Sequence, residues 1–427
     1  MKDTTQLQTF KRDVFISALF RVITIVIGFL TGVLAARLLG PAGRGELAII
    51  QSWGAFIATI SMMGLPDAIV YYTARESKKS KEYWISGITL SLLFGLFFAT
   101  VGWFTMPWLL KAQSMEVIFT ARWYTLILIF IFAFQWISLS VLRGLKVLTL
   151  WNILQIFLPS FGWLMVLVVA WLFHQSNPLF LAYSFLVMMG IVTILTLFIT
   201  YRYLSGYLSI KFRLWKLLIY YGLPLALAIL LQQMMLNGRL VQLFMGATQP
   251  PQEIGIFTVA VAWGMISRPL NLAISSVIFP YVSSSPANQI KFFTQGVLIS
   301  FVLMVLMSGI LSLLAPIAIP LLFGKKFISA IPVAIIMSWV GGIAALRETF
   351  EEGLRGLGRP KTVLVAEAVG VLIVSCLLIK VVTIWKALGG AIALLIGYGV
   401  VLIILLIDVK RATKLSFKQI LIPNSLK

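Results

Sequence analysis

Acidic residues are scarce in this 427-residue chain, which has 13 Asp and Glu against 34 Lys and Arg and a formal net charge of +21. Cysteine and histidine are scarcer still, with one each, Cys376 and His174. A single cysteine excludes an intrachain disulfide, and the two residues together leave no Cys/His metal site. The sequence shows no Ser/His/Asp, phosphate-loop or paired-carboxylate arrangement. We therefore expect neither an enzyme activity nor a cofactor.

Charge of either sign is also rare, because charged residues make up 11% of the chain and hydrophobic residues 60%. Soluble domains carry about 25% charged residues. The apolar residues form runs long enough to cross roughly 30 Å of hydrocarbon. These runs cover residues 14–37, 46–72, 84–106, 118–141, 149–172, 178–201, 217–245, 254–281, 294–322, 328–349, 362–384 and 388–409. Because helices satisfy their own backbone hydrogen bonds in lipid, the pattern predicts an all-α membrane protein with twelve transmembrane helices.

The basic residues indicate how these helices are oriented. With both termini cytoplasmic, the cytoplasmic side collects 22 Lys and Arg and the other side 7. This asymmetry follows the positive-inside rule and predicts cytoplasmic termini. The high net charge is then mostly topogenic, with some attraction to membrane lipids, and we expect no nucleic-acid partner. The run 14–37 is too long for a signal-peptide core, so we interpret it as a retained first helix.

Short motifs recur at an offset close to half the chain length. The matching positions are Gly45 and Trp53 with Gly255 and Trp263 (offset 210), and Leu-Arg-Gly-Leu at 142–145 and at 354–357 (offset 212). Each half then holds six spans, an even number, so the two copies enter the membrane in the same direction. The pattern predicts two parallel six-helix lobes around a central cavity, as in a transporter.

The predicted organisation has four parts. An N-terminal lobe covers 1–201, a basic cytoplasmic connector 202–216, a C-terminal lobe 217–409 and a basic cytoplasmic tail 410–427.

Three arginines, Arg21, Arg239 and Arg268, interrupt apolar runs instead of lying between them. A cation inside the hydrocarbon region is costly, so it faces a polar cavity or a partner by default. Few carboxylates are present to neutralise these cations. We therefore expect an anionic ligand, for which the donor fork of arginine suits phosphate.

Polar residues at helical spacing accompany two of these arginines. Gln232 and Gln242 share a face with Arg239, and Asn271 shares a face with Arg268. Pro269 removes one helical hydrogen bond beside Arg268, which is typical of transporter sites. The alternatives are a structural interhelical network for either stripe, or arginines that extend towards the headgroups.

Two carboxylates inside the spans, Asp67 and Glu367, are candidates for a gate or an ion pair. Asp67 is the candidate partner of Arg21, or it caps a kinked helix after Gly64; Glu367 has similar alternatives. A further charged cluster contains i,i+4 pairs and is interpreted as a solvated helix end. Its members are Arg347, Glu348, Glu351, Glu352 and Arg355.

Several motifs give the chain a resemblance to a known family. They are AARLLGPAGRGELA at 35–48, GLP at 64–66, EIGIFTVA at 253–260, PLLFG at 320–324 and GLGRP at 356–360. In these the chain resembles the oligosaccharide flippases of the multidrug/oligosaccharidyl-lipid/polysaccharide exporter superfamily. The likeness extends over nearly the whole chain.

The resemblance implies a bacterial inner-membrane flippase, which moves undecaprenyl-diphosphate-linked oligosaccharides to the outer leaflet by alternating access for surface polysaccharide synthesis. It also implies an arginine-lined cavity, Na⁺ or H⁺ as the coupling ion, and glycosyltransferases and a polymerase as partners. Twelve spans argue against the lipid II flippases of the superfamily, which have two more. An ion-coupled multidrug exporter remains the alternative, although such exporters place carboxylates rather than arginines in the cavity.

Overall fold

The computed structural model describes the backbone of residues 2–235, 238–268, 278, 282, 289–357 and 359–415. Within these ranges the chain is helical apart from short connectors, and no strand occurs in them. The helices of the first half are α1 (Lys2–Ser61), α2 (Leu65–Arg75), α3 (Ser80–Leu109), α4 (Met115–Gly144), α5 (Leu148–Leu172) and α6 (Pro178–Tyr203). Those of the second half are α7 (Phe212–Met235), α8 (Arg239–Thr248), α9 (Pro251–Gly264), α10 (Gln289–Leu322), α11 (Ile331–Gly356) and α12 (Pro360–Thr413).

Eight helical stretches in the described residues are long and apolar enough to cross a membrane. Large apolar side chains remain exposed on their surfaces, among them Phe104, Trp108 and Ile194 on α3 and α6 and Leu313 and Ile317 on α10. Exposed apolar side chains of this size in rows are typical of surfaces that face lipid or a partner rather than water. The chain is therefore a multi-pass membrane protein.

Two of the longest helices contain a residue with non-helical backbone angles at a predicted connector. In α1 it is Gly40 (φ 65°, ψ −176°), followed by Pro41, and in α12 it is Lys386 (φ 48°, ψ −125°). Glycine reaches positive φ without steric cost, and Pro41 starts a new helix because its missing N–H is not needed there. These breaks lie where the apolar runs predict turns between spans one and two and between spans eleven and twelve.

The prediction of one continuous helix over 217–245 is wrong. The described part of α7 extends to Met235, and α8 begins at Arg239. Gly238 precedes α8 in the left-handed conformation, at φ 65°. The break lies at Asn237-Gly238-Arg239, a polar interruption that the predicted span included because apolar residues continue on both sides of it.

Contacts divide the chain into two compact units. Unit 1 comprises Met1–Leu39 and Glu46–Leu230, and unit 2 comprises Gly40–Gly45 and Leu231–Lys427. The core of unit 1 contains side chains from α2, α3, α4 and α7, including Ile69, Leu90, Ile137 and Leu218. The core of unit 2 joins α10, α11 and both halves of α12 through Phe293, Phe350, Val363 and Val401.

In unit 2, the segment Gly40–Gly45 packs closely on the start of α9. A Cβ on Gly45 would overlap the carbonyl of Pro251, and a Cβ on Gly255 would overlap the carbonyl of Pro41. The contact is thus reciprocal, and both pairs of positions are separated by 210 residues, the offset seen in the sequence. Only glycine permits backbones to approach this closely.

Candidate functional site

Arg268 forms a short ion pair with Glu348 on α11. Its Nε and Nη2 both donate to Glu348 Oε1, at 2.9 and 2.6 Å, and the two side chains are only 20% and 13% exposed. Although few carboxylates are present in the chain, Arg268 therefore has one as its partner. The two residues are 80 positions apart, so no local spacing links them in the sequence.

A close approach of α9 and α11 brings this pair together. Gly264, the last residue of α9, lies against the backbone of Met337 and Gly341, where a Cβ on either glycine would overlap a carbonyl. A single 3₁₀ turn, Met265–Ser267, then leads to Arg268. Gly264 therefore contributes to helix packing, and Arg268 lies one turn further on, within reach of α11.

Next to Glu348 in sequence, Arg347 is the centre of a buried ionic network. Its Nε lies 3.1 Å from Glu351 Oε1 and its Nη1 lies 2.7 Å from Glu367 Oε1. Its guanidinium also lies 4.8 Å from the centre of the Tyr398 ring, a cation–π geometry. Arg347 is 2% exposed and Glu367 5%.

The interpretation of this cluster as a solvated helix end is therefore wrong for Arg347, Glu348 and Glu351, whereas the pair Glu352–Arg355 is partly exposed as expected. The i,i+4 spacing of Arg347 and Glu351 is present as the sequence indicates. What the sequence does not show is that both halves of α12 cover this face of α11 and contribute Glu367 and Tyr398. The ions are held in the interior, where unpaired charge is strongly unfavourable.

Taken together, the buried groups carry more negative than positive charge when ionised. Arg268 and Arg347 face three carboxylates, those of Glu348, Glu351 and Glu367. Among the described residues, no group of three or more His, Cys, Asp or Glu is arranged to hold a metal ion. The arrangement is a network of ion pairs in which carboxylates outnumber arginines.

Arg239 occupies a different position, as the first residue of α8 after the break at Gly238. Its side chain is half-buried, and no carboxylate in the described part of the chain forms an ion pair with it. Gln242, three residues further along α8, is half-buried as well. The side chains of Arg21 and Gln232, and all of Asn271, lie outside the described residues.

Asp67 lies in the first turn of α2, where Arg143 is near it; the expected partner, Arg21, has a side chain outside the described residues. Asp67 Oδ1 lies 4.0 Å from Arg143 Nη1, and both side chains are about half exposed. No side-chain cap closes the start of α2, where Gly64 is in the left-handed conformation. The pair is therefore long and solvated, unlike the buried pairs of unit 2.

A comparison with protein families identifies the chain. A family model described as "Polysaccharide biosynthesis protein" matches residues 10–285, which is more than half of the sequence. The chain belongs to this family. A sequence search among curated proteins finds no match.

Solved structures share the fold of this polysaccharide biosynthesis protein. "Lipid II flippase MurJ, inward closed conformation" superposes with a TM-score of 0.79 at 16% identity, over 95% of this chain and 90% of the other. An inward-facing "multidrug resistance MATE family transporter of the MOP superfamily" superposes with a TM-score of 0.70 at 17% identity, over 94% and 99%. The outward-facing form of such a transporter gives 0.58 at 17% identity, over 94% and 96%. At these identities the likeness concerns the fold.

Sequence reasoning about this family member missed two residues of the network, Glu348 as the partner of Arg268 and Tyr398. The sequence contained a signal for Glu348, a carboxylate inside a run of charges at a span end. It contained none for Tyr398, which is one of 12 tyrosines. Its role depends on how α12 packs on α11.

Proposed function

We propose that the protein is a flippase for an undecaprenyl-diphosphate-linked oligosaccharide, which it moves from the cytoplasmic to the outer leaflet of the bacterial inner membrane. In this proposal it works by alternating access, has twelve spans in two six-helix lobes, and keeps both termini in the cytoplasm. Glycosyltransferases would supply its substrate, and a polymerase would consume its product.

The observation that carries this proposal is the partly exposed guanidinium of Arg268 inside a membrane-spanning unit. An arginine in such a place is expensive to maintain and marks a functional path by default. Its donor edge matches two oxygens of a phosphate group. Arg239, half-buried beside a helix break and followed by Gln242, offers a second set of donors in the same unit. Because the chain belongs to a polysaccharide biosynthesis family, the anion that we propose as its substrate is a diphosphate-linked glycan.

The alternative is an ion-coupled multidrug exporter, which the shared fold leaves open. Such an exporter captures cations and needs a carboxylate that is available to them. In the described part of unit 2, the carboxylates of Glu348, Glu351 and Glu367 all lie within 4 Å of an arginine. The arrangement therefore favours an anionic substrate. Na⁺ or H⁺ as the coupling ion fits either function.

The test is translocation of a lipid-linked oligosaccharide in proteoliposomes and export of surface polysaccharide in cells. We expect Arg268→Ala to reduce transport by tenfold or more, because a charge-assisted hydrogen bond contributes about 1.5–3 kcal/mol. Arg268→Lys should restore part of it, since an ammonium lacks the planar fork. Normal surface polysaccharide in the alanine variant would refute the assignment.

Two further variants separate binding from folding. Arg268→Ala combined with Glu348→Ala removes both charges, so no unpaired ion remains, yet transport should stay low. The matched control is Arg359→Ala, because Arg359 forms an equally short ion pair, 2.6 Å, with the mostly buried Asp408. Transport by this control should equal that of the wild type.

A further inference from the structure

Glu348 holds Arg268 in a way that resembles an anionic ligand. A single oxygen, Oε1, accepts from both Nε and Nη2. These two donors form one of the two edges of the guanidinium that can bind phosphate bidentately. The second oxygen, Oε2, is buried and has no hydrogen-bond partner among the described residues. The carboxylate therefore covers the donors of Arg268 while leaving its own second oxygen unsatisfied.

Substrate binding at Arg268, on which this inference rests through the proposed function, can use this edge or the edge formed by Nη1 and Nη2. Two anions cannot use one guanidinium edge at once without strong repulsion at such distances. A diphosphate that takes the edge formed by Nε and Nη2 therefore displaces the carboxylate of Glu348.

Among the described residues, the other arginines of this cluster, Arg347 and Arg355, already have carboxylate partners. On α11, the charged neighbours of Glu348 are Arg347, Glu351 and Glu352. On α12, Glu367 and Tyr398 lie near Arg347. Arg347 already pairs with Glu351 and Glu367. From α10, Ser300 contributes a hydroxyl that hydrogen-bonds Thr349. Without Arg268, three carboxylates would share one arginine, and a proton on Glu348 relieves that imbalance.

We propose that Glu348 is an internal anion that occupies Arg268 in the empty protein, is replaced there by the substrate diphosphate, and takes up one proton when it is displaced. The proton comes from the solvent, converts the carboxylate to the acid, and returns to solvent when the diphosphate leaves. Binding of the diphosphate is thereby linked to pH and strengthens as the pH falls.

The experiment uses the full-length protein in lipid nanodiscs and farnesyl diphosphate as the probe. Calorimetry in two buffers with different ionisation enthalpies counts the protons taken up per probe bound at pH 8. We expect the wild type to take up about one proton more per probe bound than Glu348→Gln does. We also expect the affinity of the wild type for the probe to weaken up to about tenfold per pH unit above neutrality. The probe's own ionisation is common to both proteins, so the difference is informative.

Glu348→Gln should also bind the probe about tenfold or more tightly at pH 8, because a neutral amide competes poorly for Arg268. The matched control is Glu253→Gln, since Glu253 is another mostly buried carboxylate paired with a cation, Lys386. This control should keep the wild-type affinity and proton count.

The outcomes distinguish this inference from the proposed function. Probe binding that is unchanged in Arg268→Ala would overturn the substrate site itself. Probe binding that is lost in Arg268→Ala, with equal proton counts for wild type and Glu348→Gln, would overturn only the role of Glu348. If Glu348→Gln does not fold, the measurements on the wild type are sufficient. Uptake of one proton per probe bound supports the inference. Binding that is independent of pH above neutrality, with no proton uptake, overturns it.

Discussion

The Tyr398 hydroxyl donates a 2.6 Å hydrogen bond to the main-chain carbonyl of Met235, the last described residue of α7. The same tyrosine places its ring against the guanidinium of Arg347. One side chain therefore connects the buried ionic network to the helix break that precedes Arg239. This hydrogen bond therefore ties Tyr398 to the last described turn of α7, three residues before the left-handed Gly238.

Tyr398→Phe should loosen this break without disturbing the ring contact. We expect the protein to lose about 1 kcal/mol of stability, the usual net value of one hydrogen bond. Hydrogen exchange measured by mass spectrometry should increase at residues 231–240. Tyr220→Phe is the control, because Tyr220 is 84% exposed. Equal exchange at 231–240 in both variants would contradict the role of Tyr398.

Arg347→Ala should be strongly destabilising. Removing one partner of a buried ion pair typically costs about 3–5 kcal/mol, because the remaining charges are left uncompensated. The thermal transition of the purified protein and its abundance in membranes measure the effect. The triple variant Arg347→Met, Glu351→Gln, Glu367→Gln should recover much of the loss, since it leaves no unpaired ion. A triple variant less stable than Arg347→Ala alone would show that these charges have another role.

Gly45→Ala and Gly255→Ala should both destabilise the contact between Gly40–Gly45 and α9. The added methyl group would meet a backbone carbonyl, which cannot move aside as a side chain does. Overpacking of this kind typically costs about 1–3 kcal/mol. Gly190→Ala is the control, because nothing lies within 4 Å of a Cβ placed on Gly190 in α6. Thermal stability of the three variants, compared side by side, checks the prediction; equal values would contradict it.

Asp67→Asn should have a small effect on stability, below about 1 kcal/mol. The partner of Asp67 is Arg143 at 4.0 Å, and exposed pairs of this kind contribute little. A pair with Arg21, the candidate partner that the sequence indicates, remains a prediction. Transport by the variant, measured in the same proteoliposome assay, separates a gating role from a structural one. A large loss of stability would mean that Asp67 has a partner more important than Arg143.

Much of the fold follows from the sequence because apolar runs and their interruptions are local properties. The turns near Gly40 and Lys386 coincide with charged or glycine-containing interruptions and were predictable. The break at Gly238 was missed, although Asn237-Gly238 is a sequence typical of turns, because the run 217–245 was read by its mean hydropathy. The hydrogen bond from Tyr398 to the Met235 carbonyl near this break joins residues 163 positions apart and is not visible in the sequence.

The candidate site, too, was predictable from the sequence only in part. The unusual position of Arg268 inside an apolar run is visible in the sequence, because burial cost depends on the surrounding residues alone. Its pairing with Glu348 is not, since it depends on where Gly264 crosses α11. The i,i+4 spacing of Arg347 and Glu351 predicted their contact correctly, but the expectation that water surrounds this pair was wrong. Helical spacing fixes which side chains are neighbours, whereas the covering helix decides whether water reaches them.

The reciprocal contact of Gly45 with Gly255 also has a consequence for biosynthesis. It joins residues 210 positions apart, so it cannot form until the ribosome has made more than half of the chain. Contacts of such long range form late, whereas α10, α11 and α12 are neighbours in sequence and can pack as they emerge. Until α9 is inserted, the backbone around Gly45 therefore has no partner in its native place. During that interval the first half of the nascent chain depends on lipid or on the insertion machinery to cover it.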